Sequence, residues 1–312
     1  MSDFFLRFDL PQTEYTINHS HKLTFLGSCF SDEMSKYAKG SGFDVVSNPY
    51  GTIYHPISIA NNLLDALHEV TQFADFERDG LYYSWNCSTK INASSREGLN
   101  HLLSENNRKL LEHLTQPGFL FVTFGTAFIY RLKNENKHVA NCHKQPGQYF
   151  LKELSNAATI VETWKELLQK MQVKFPQLKV VFTVSPVRHI RDGIIENNRS
   201  KARLIQVVEE LSSGENVAYF PSYEIVMDEL RDYRFFQEDR IHPTLEATKY
   251  IWNRFSDMYF NEQTKKVVED CLKVKKRLAH RSALNHNLDL NTLKSMQYLE
   301  SHFPWISWDP EK

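Results

Sequence analysis

Two runs of β-branched and aromatic residues, Phe121-Val122-Thr123-Phe124 and Val180-Val181-Phe182-Thr183-Val184, carry almost no polar alternation. A strand with one wet face alternates between apolar and polar side chains, whereas a strand covered on both faces does not. Similar runs place strands at 23–27, 44–47, 119–124, 180–184 and 216–220. Between them, helical spacing predicts helices at 32–39, 58–69, 96–114, 157–174, 198–211 and 245–259. This alternation builds an α/β fold: a three-layer α/β/α sandwich with a mostly parallel sheet, in which 119–124 and 180–184 hold the middle. Residues 71–95 and 131–154 follow predicted strands without a helical period and read as long functional loops.

The 312 residues, 41% apolar and 24% charged, are ordinary globular composition with ample chain for a core, which excludes the disordered and membrane-spanning classes. A formal charge of -1 gives no general attraction to nucleic acid or anionic lipid. No stretch approaches a membrane span, and the segment from Met1 to Arg7 places an acidic residue too early and an apolar run too short for a secretory signal, so a cytoplasmic location is expected. Cys29, Cys87, Cys142 and Cys271 are spread without a C-x-x-C pair, which argues for reduced thiols and against a disulfide framework or a zinc site; no metal and no cofactor are expected.

After Phe260 the texture changes. Val267, Cys271, Val274 and Leu278 recur at helical spacing amid Lys265, Lys266, Lys273, Lys275, Lys276, Arg277 and Arg281, a basic amphipathic helix. A docked stripe with a solvated basic face is the plainer reading, and an anionic partner the alternative. The aromatic segment Phe303-Pro304-Trp305-Ile306-Ser307-Trp308 is expected to fold back onto the domain or onto a second subunit. The chain therefore divides into a domain at 1–260 and a basic helical extension with its aromatic tail at 261–312. Sequence leaves the oligomeric state open.

Chemistry concentrates at two short motifs. The first predicted strand ends in Gly27-Ser28 at a strand-to-helix turn, the sheet edge where open α/β folds carry their sites. Ser31, Asp32 and Glu33 suit a cap and an acidic first turn, and exposed amides there would favour an anion. Near the other end, Asp239-Arg240-Ile241-His242-Pro243 offers a carboxylate and an imidazole three residues apart, the two groups that activate a serine. Asp65-Ala66-Leu67-His68 repeats the spacing inside an amphipathic helix, where a surface pair at i, i+3 explains it, while Asp239 to His242 lies in a loop closed by Pro243. Cys29 is a rival nucleophile, but neighbouring side chains in a turn point in different directions.

Gly27-Ser28-Cys29-Phe30-Ser31 resembles the signature of the GSCFA family, whose name spells that motif with alanine last, and which belongs with the SGNH, or GDSL-like, hydrolases. The likeness runs on through Asn48-Pro49-Tyr50-Gly51-Thr52, Phe124-Gly125-Thr126-Ala127, Ala140-Asn141-Cys142-His143-Lys144, Thr183 to His189 and Asp239 to Pro243. It implies a nucleophile at Ser28 with His242 and Asp239 completing a triad. Two departures stand out from the wider SGNH pattern. Glycine directly precedes Ser28, and the Gly-x-Asn-Asp block that normally supplies an oxyanion-binding asparagine is replaced by Gly125-Thr126-Ala127. Asn141 is the obvious substitute, with the Thr126 hydroxyl and the Gly51 amide as further donors.

Arg188 and His189 end a buried strand on the same sheet edge and are candidate substrate contacts, as is His143, with an Arg188–Asp192 ion pair as the bland alternative. Tyr50, Tyr54, Tyr83 and Trp85 either stack on sugar rings or fill the core. The expected activity is hydrolysis of short acyl esters, O-acetyl sugars among them, a small-molecule or carbohydrate substrate. A transferase that moves acyl groups to a sugar hydroxyl, or a non-catalytic carbohydrate-binding module on the same fold, is the alternative.

Overall fold

The computed structural model describes residues 6–284, 290–306 and 308. Five parallel strands form its central sheet: β1 (Lys22–Gly27), β2 (Asp44–Ser47), β6 (Gly118–Phe124), β10 (Leu178–Val184) and β11 (Val217–Tyr219), in the order β11-β10-β6-β1-β2. The register sets Leu26 beside Val122 and Val180 beside Leu120, so side chains alternate cleanly between the two faces.

On one face, Leu26, Leu120, Val122, Phe124, Val180 and Phe182 pack against α2 (Pro56–Leu67), α3 (Arg96–Thr115), α4 (Ala157–Lys174) and α5 (Ile194–Leu211). On the other, Leu23, Phe25, Phe119, Phe121 and Val181 pack against α1 (Cys29–Gly40) and α7 (Leu245–Tyr259), where Phe255 and Tyr259 close on Phe121. This is the expected three-layer sandwich, with β6 and β10 buried in the sheet interior. After β11, a helical turn α6 (Ser222–Glu224) runs into a π-type turn at Ile225–Glu229.

The segments read as long functional loops carry strands of their own, the second sheet beginning just before residue 131. The first carries an antiparallel sheet of β3 (Asp75–Arg78), β4 (Leu81–Ser84) and β5 (Asn92–Ala93), the second one of β7 (Phe128–Leu132), β8 (Lys137–Val139) and β9 (Phe150–Leu154). Asp79 (φ 53°) and Gly80 (φ 75°) form the two-residue connection between β3 and β4, a turn that demands left-handed backbone at both positions and that Asp-Gly supplies.

Two long helices, α8 (Glu262–Leu284) and α9 (Leu290–His302), follow the sandwich. Cys271 and Val274 are buried with Leu299, and Val267, Leu278, Phe303, Ile306 and Trp308 pack around them. All four cysteines are free thiols. Among the described residues no helix is long and apolar enough to cross a membrane, and no group of three or more His, Cys, Asp or Glu side chains could hold a metal ion.

Candidate active site

The chain leaves β1 toward β2 on one side and returns through β6, β10 and β11 on the other, so the crevice where ligands bind such sheets opens at the carboxyl ends of β1 and β6. Ser28 sits there, one residue past β1. Gly27 adopts φ +124°, and a Cβ on it would lie 2.2 Å from the Thr123 carbonyl oxygen, so only glycine lets β1 reach the turn against β6. Ser28, not Ser31, caps α1: its Oγ accepts from the Phe30 amide at 3.3 Å, and its own amide donates to the Thr123 carbonyl at 3.3 Å. Ser31 is buried and donates to the Leu26 carbonyl. Ser28 is only 1% exposed.

Asp32, in the first turn of α1, organises the neighbouring loop. Its carboxylate accepts from Asn48 Nδ2 (2.7 Å), Ser47 Oγ (3.3 Å) and Thr52 Oγ1 (3.1 Å), while Asn48 Oδ1 accepts from the Gly27 amide (2.8 Å). The amide of Gly51, read from sequence as a free oxyanion donor, is committed to the Asn48 carbonyl at 2.8 Å. Glycine is needed there for another reason: φ is +71° and a Cβ would come within 2.4 Å of Ser88 Cβ.

Asp239 and His242 lie in the turn before α7. Asp239 Oδ1 accepts from the Ile241 and His242 amides (2.8 and 3.0 Å), and Oδ2 faces His242 Nδ1 at 2.6 Å. The His242 ring first, and the two amides after it, hold the Asp239 carboxyl down at about 2, so it is a carboxylate at any working pH. Backbone bonds fix the turn: the Gln237 amide donates to the His242 carbonyl (2.8 Å), and Arg240 takes φ +60° with its amide on the Gln237 carbonyl (2.9 Å). Both side chains are partly exposed. Among the described residues no hydrogen bond joins His242 to Ser28.

Arg188 does not pair with Asp192, whose carboxylate is taken by Lys152. Instead its Nη1 donates to the Arg240 carbonyl at 2.9 Å, and its guanidinium lies over Phe236 and Tyr233 (4.4 and 5.5 Å), tying the end of β10 to the Asp239–His242 turn. His189 sets its ring edge-on to Tyr54 (4.9 Å). Burial, and then the positive charges of Lys201 and Lys152, push it down to about 4; His242 is among the charges acting on it.

The other sequence-derived candidates divide. Asn141 Oδ1 accepts from the His143 amide at 2.8 Å, and its Nδ2 has no partner among the described residues. Thr126 is buried, its hydroxyl held between Ser200 Oγ and the Phe128 amide (3.1 Å each), which turns it away from an oxyanion role. His143 is fully buried, Nε2 on the Ser84 carbonyl (2.9 Å) and Nδ1 on Thr89 Oγ1 (3.2 Å), among the rings of Phe76, Tyr83 and Trp85. Both ring nitrogens are spent and burial holds it neutral, lowered to about 4, so it is a structural histidine rather than a substrate contact. Tyr50 and Tyr83 are buried too, Tyr50 donating to Asn107 Oδ1 at 2.6 Å, and Trp85 stacks on Phe76 at 4.0 Å, the core reading for all three.

Sequence reasoning passed over Asp32 as a helix-capping acid and Lys201 altogether. Lys201 lies on the buried stripe of α5 with Asn197, Ser200, Leu204, Val207 and Leu211. That three-and-four spacing was the available signal.

Fold and site together define an α/β/α protein with a serine at the end of its first strand and a carboxylate–imidazole pair before its seventh helix. The GSCFA family model matches residues 22–255, and the chain belongs to the GSCFA family. Among solved structures it is similar to the acetyl xylan esterase Est2A from the rumen bacterium Butyrivibrio proteoclasticus (12% identity, TM-score 0.37, 78% of this chain) and to a carbohydrate esterase family 3 protein from Talaromyces cellulolyticus (10% identity, TM-score 0.35, 80% of this chain). The match spans 64% of the first protein and 99% of the second. No curated protein matches the sequence significantly.

Proposed function

We propose that the protein is a serine esterase acting on short acyl esters, with Ser28 as nucleophile, His242 as general base and acid, and Asp239 as its orienting carboxylate. The observation that carries this reading is the 2.6 Å contact of Asp239 Oδ2 with His242 Nδ1, in a turn tethered by Arg188 to the end of β10. With Nδ1 fixed as the protonated nitrogen, Nε2 is left as the base.

In this reading Ser28 Oγ attacks the ester carbonyl carbon as its proton passes to His242 Nε2. The tetrahedral intermediate collapses, the alkoxide leaves with the proton from His242, and an acyl-serine remains. Water then attacks, giving its proton to His242, and the acid departs as Ser28 regains its hydrogen. The amides of Ser28, Phe30 and Ser31 are committed, like the amide of Gly51 and the hydroxyl of Thr126, so the oxyanion donors of this reading are the Cys29 amide, which opens α1, and Asn141 Nδ2, each worth about 3 kcal/mol when preorganised. Cys29 is the weaker nucleophile candidate: burial, then the charge of Asp32, raises its thiol and disfavours the thiolate.

The test is turnover of p-nitrophenyl acetate and acetylated sugars by purified protein. Wild type is expected to release acetate, and Ser28→Ala and His242→Ala to lose nearly all of it while remaining folded. Undiminished turnover in Ser28→Ala would sink the assignment.

A further inference from the structure

Lys201 is 1% exposed, yet it carries an ammonium. The strand ladder between β6 and β10 ends at Phe124 and Val184, and the carbonyls beyond it, of Gly125 and Ser185, turn to Lys201 Nζ at 2.7 and 2.6 Å. Among the described residues no carboxylate pairs with it, which sets it apart from the buried Arg254, matched by Glu229 at 2.9 Å. A buried charge held only by carbonyl dipoles keeps most of its field, and that field reaches the nearest low-dielectric space. Gly125 and Ser185 lie just past the carboxyl ends of β6 and β10, on the sheet edge that carries Ser28. The Gly125 amide donates to the Tyr54 carbonyl at 2.8 Å, Tyr54 meets the His189 ring, and Lys201 exerts the strongest charge effect on His189. Cys29, next to Ser28, is a titratable neighbour of Lys201, a neutral thiol whose thiolate would raise the lysine if it formed.

We infer that Lys201 is a positioning residue of the proposed esterase: its ammonium ties the ends of β6 and β10 together, and its uncompensated charge stabilises the negative charge that develops on the substrate's carbonyl oxygen. The inference rests on the esterase reading. The ammonium is held by the Gly125 and Ser185 carbonyls; the titratable groups coupled to it electrostatically are Cys29 and His189, and Lys152, Asp192 and His242 act in turn on His189. Burial pushes the ammonium down to about 7, so its charge is lost through mildly alkaline pH.

The experiment compares wild type with Lys201→Met, which keeps the volume and removes the charge, and Lys201→Gln, which keeps a neutral donor. With p-nitrophenyl acetate, wild-type kcat should fall above about pH 7, whereas both variants should lose that alkaline limb and show kcat reduced roughly 10- to 100-fold at pH 6.5 with KM nearly unchanged. A lysine that only held strands together would lower the melting temperature and leave the pH profile alone. Urea unfolding gives a readout free of activity. A base whose folded value is lowered is most costly while charged, so wild type should gain stability relative to Lys201→Met as pH rises from 7 to 10. Active variants with wild-type kcat and an intact alkaline limb, or a stability difference flat in pH, overturn the inference alone. A wild type that cleaves no ester and takes no fluorophosphonate overturns the esterase reading and this inference with it.

Discussion

At Asp239 one carboxylate oxygen is committed to the Ile241 and His242 amides and the other to the His242 ring, so the residue shapes the turn and orients the imidazole at once. Asp239→Asn separates the two tasks, because an amide oxygen can still cap the turn while its NH2 invites the wrong imidazole tautomer. It should lower kcat about 10³-fold or more with little change in melting temperature. Asn141 allows a similar dissection. Its oxygen caps the loop at His143 and its nitrogen has no partner among the described residues, so under the proposed function Asn141→Asp should keep the loop and lose the donor. The expected result is a 10²-fold drop or so in kcat at constant stability; unaltered kcat in Asn141→Asp would shift the whole oxyanion role to backbone amides.

Elements are held in register by polar pins at the amino edge of the sheet as well as by the core. Asp44, opening β2, pairs with Lys22 of β1 and faces His113 at the end of α3, whose other ring nitrogen meets Thr24 Oγ1 at 2.8 Å. His113 first, then Lys22, hold the Asp44 carboxyl at about 2, below its ordinary 3.8. A lowered carboxylate stabilises the fold above its unfolded value, and that stability disappears as pH falls toward 2. Asp44→Asn should cost about 1 kcal/mol at pH 7, after allowance for solvent screening, and nothing near pH 2 in urea titrations. An equal cost at both pH values would point to packing instead. At this scale much was legible from sequence. The helices at Ala157–Lys174 and Leu245–Tyr259 and the strand Asp44–Ser47 appear at the expected bounds, because long periodic stretches and caps at Asn156 and Thr244 mark them. The helix α1 starts three residues before expectation because Ser28 itself is the cap. The small antiparallel sheets were missed because short, half-exposed strands lack a strong period, although Asp79-Gly80 was a hairpin signal in plain view. The Asp–His pair was readable as a local motif. The commitments of Gly51, Thr126 and His143 were not, since each is fixed by a partner distant in sequence or by a local turn that residue type does not reveal.

Across the whole molecule, the C-terminal segment closes over the sheet edge opposite Ser28. Thr264 Oγ1 donates to the Ile17 carbonyl (2.9 Å), Trp305 Nε1 to the Gly42 carbonyl (3.1 Å), Phe303 lies 5.1 Å from the His19 ring, and Lys22 sits over the Trp305 ring at 4.7 Å. The aromatic tail thus folds back on its own chain, and Lys265, Lys266 and Lys273 pair with Glu262, Asp270 and Glu269 of the same helix, a solvated face. Trp305→Ala should remove about 1–2 kcal/mol, a drop of a few degrees in melting temperature, and leave ester turnover unchanged. The claim on which everything else depends is the nucleophile. Incubating wild type and His242→Ala with a fluorophosphonate and sequencing the modified peptide by mass spectrometry tests it directly. The account predicts one adduct on Ser28 in wild type and almost none in His242→Ala; an adduct on Cys29, or none in folded wild type, would contradict it.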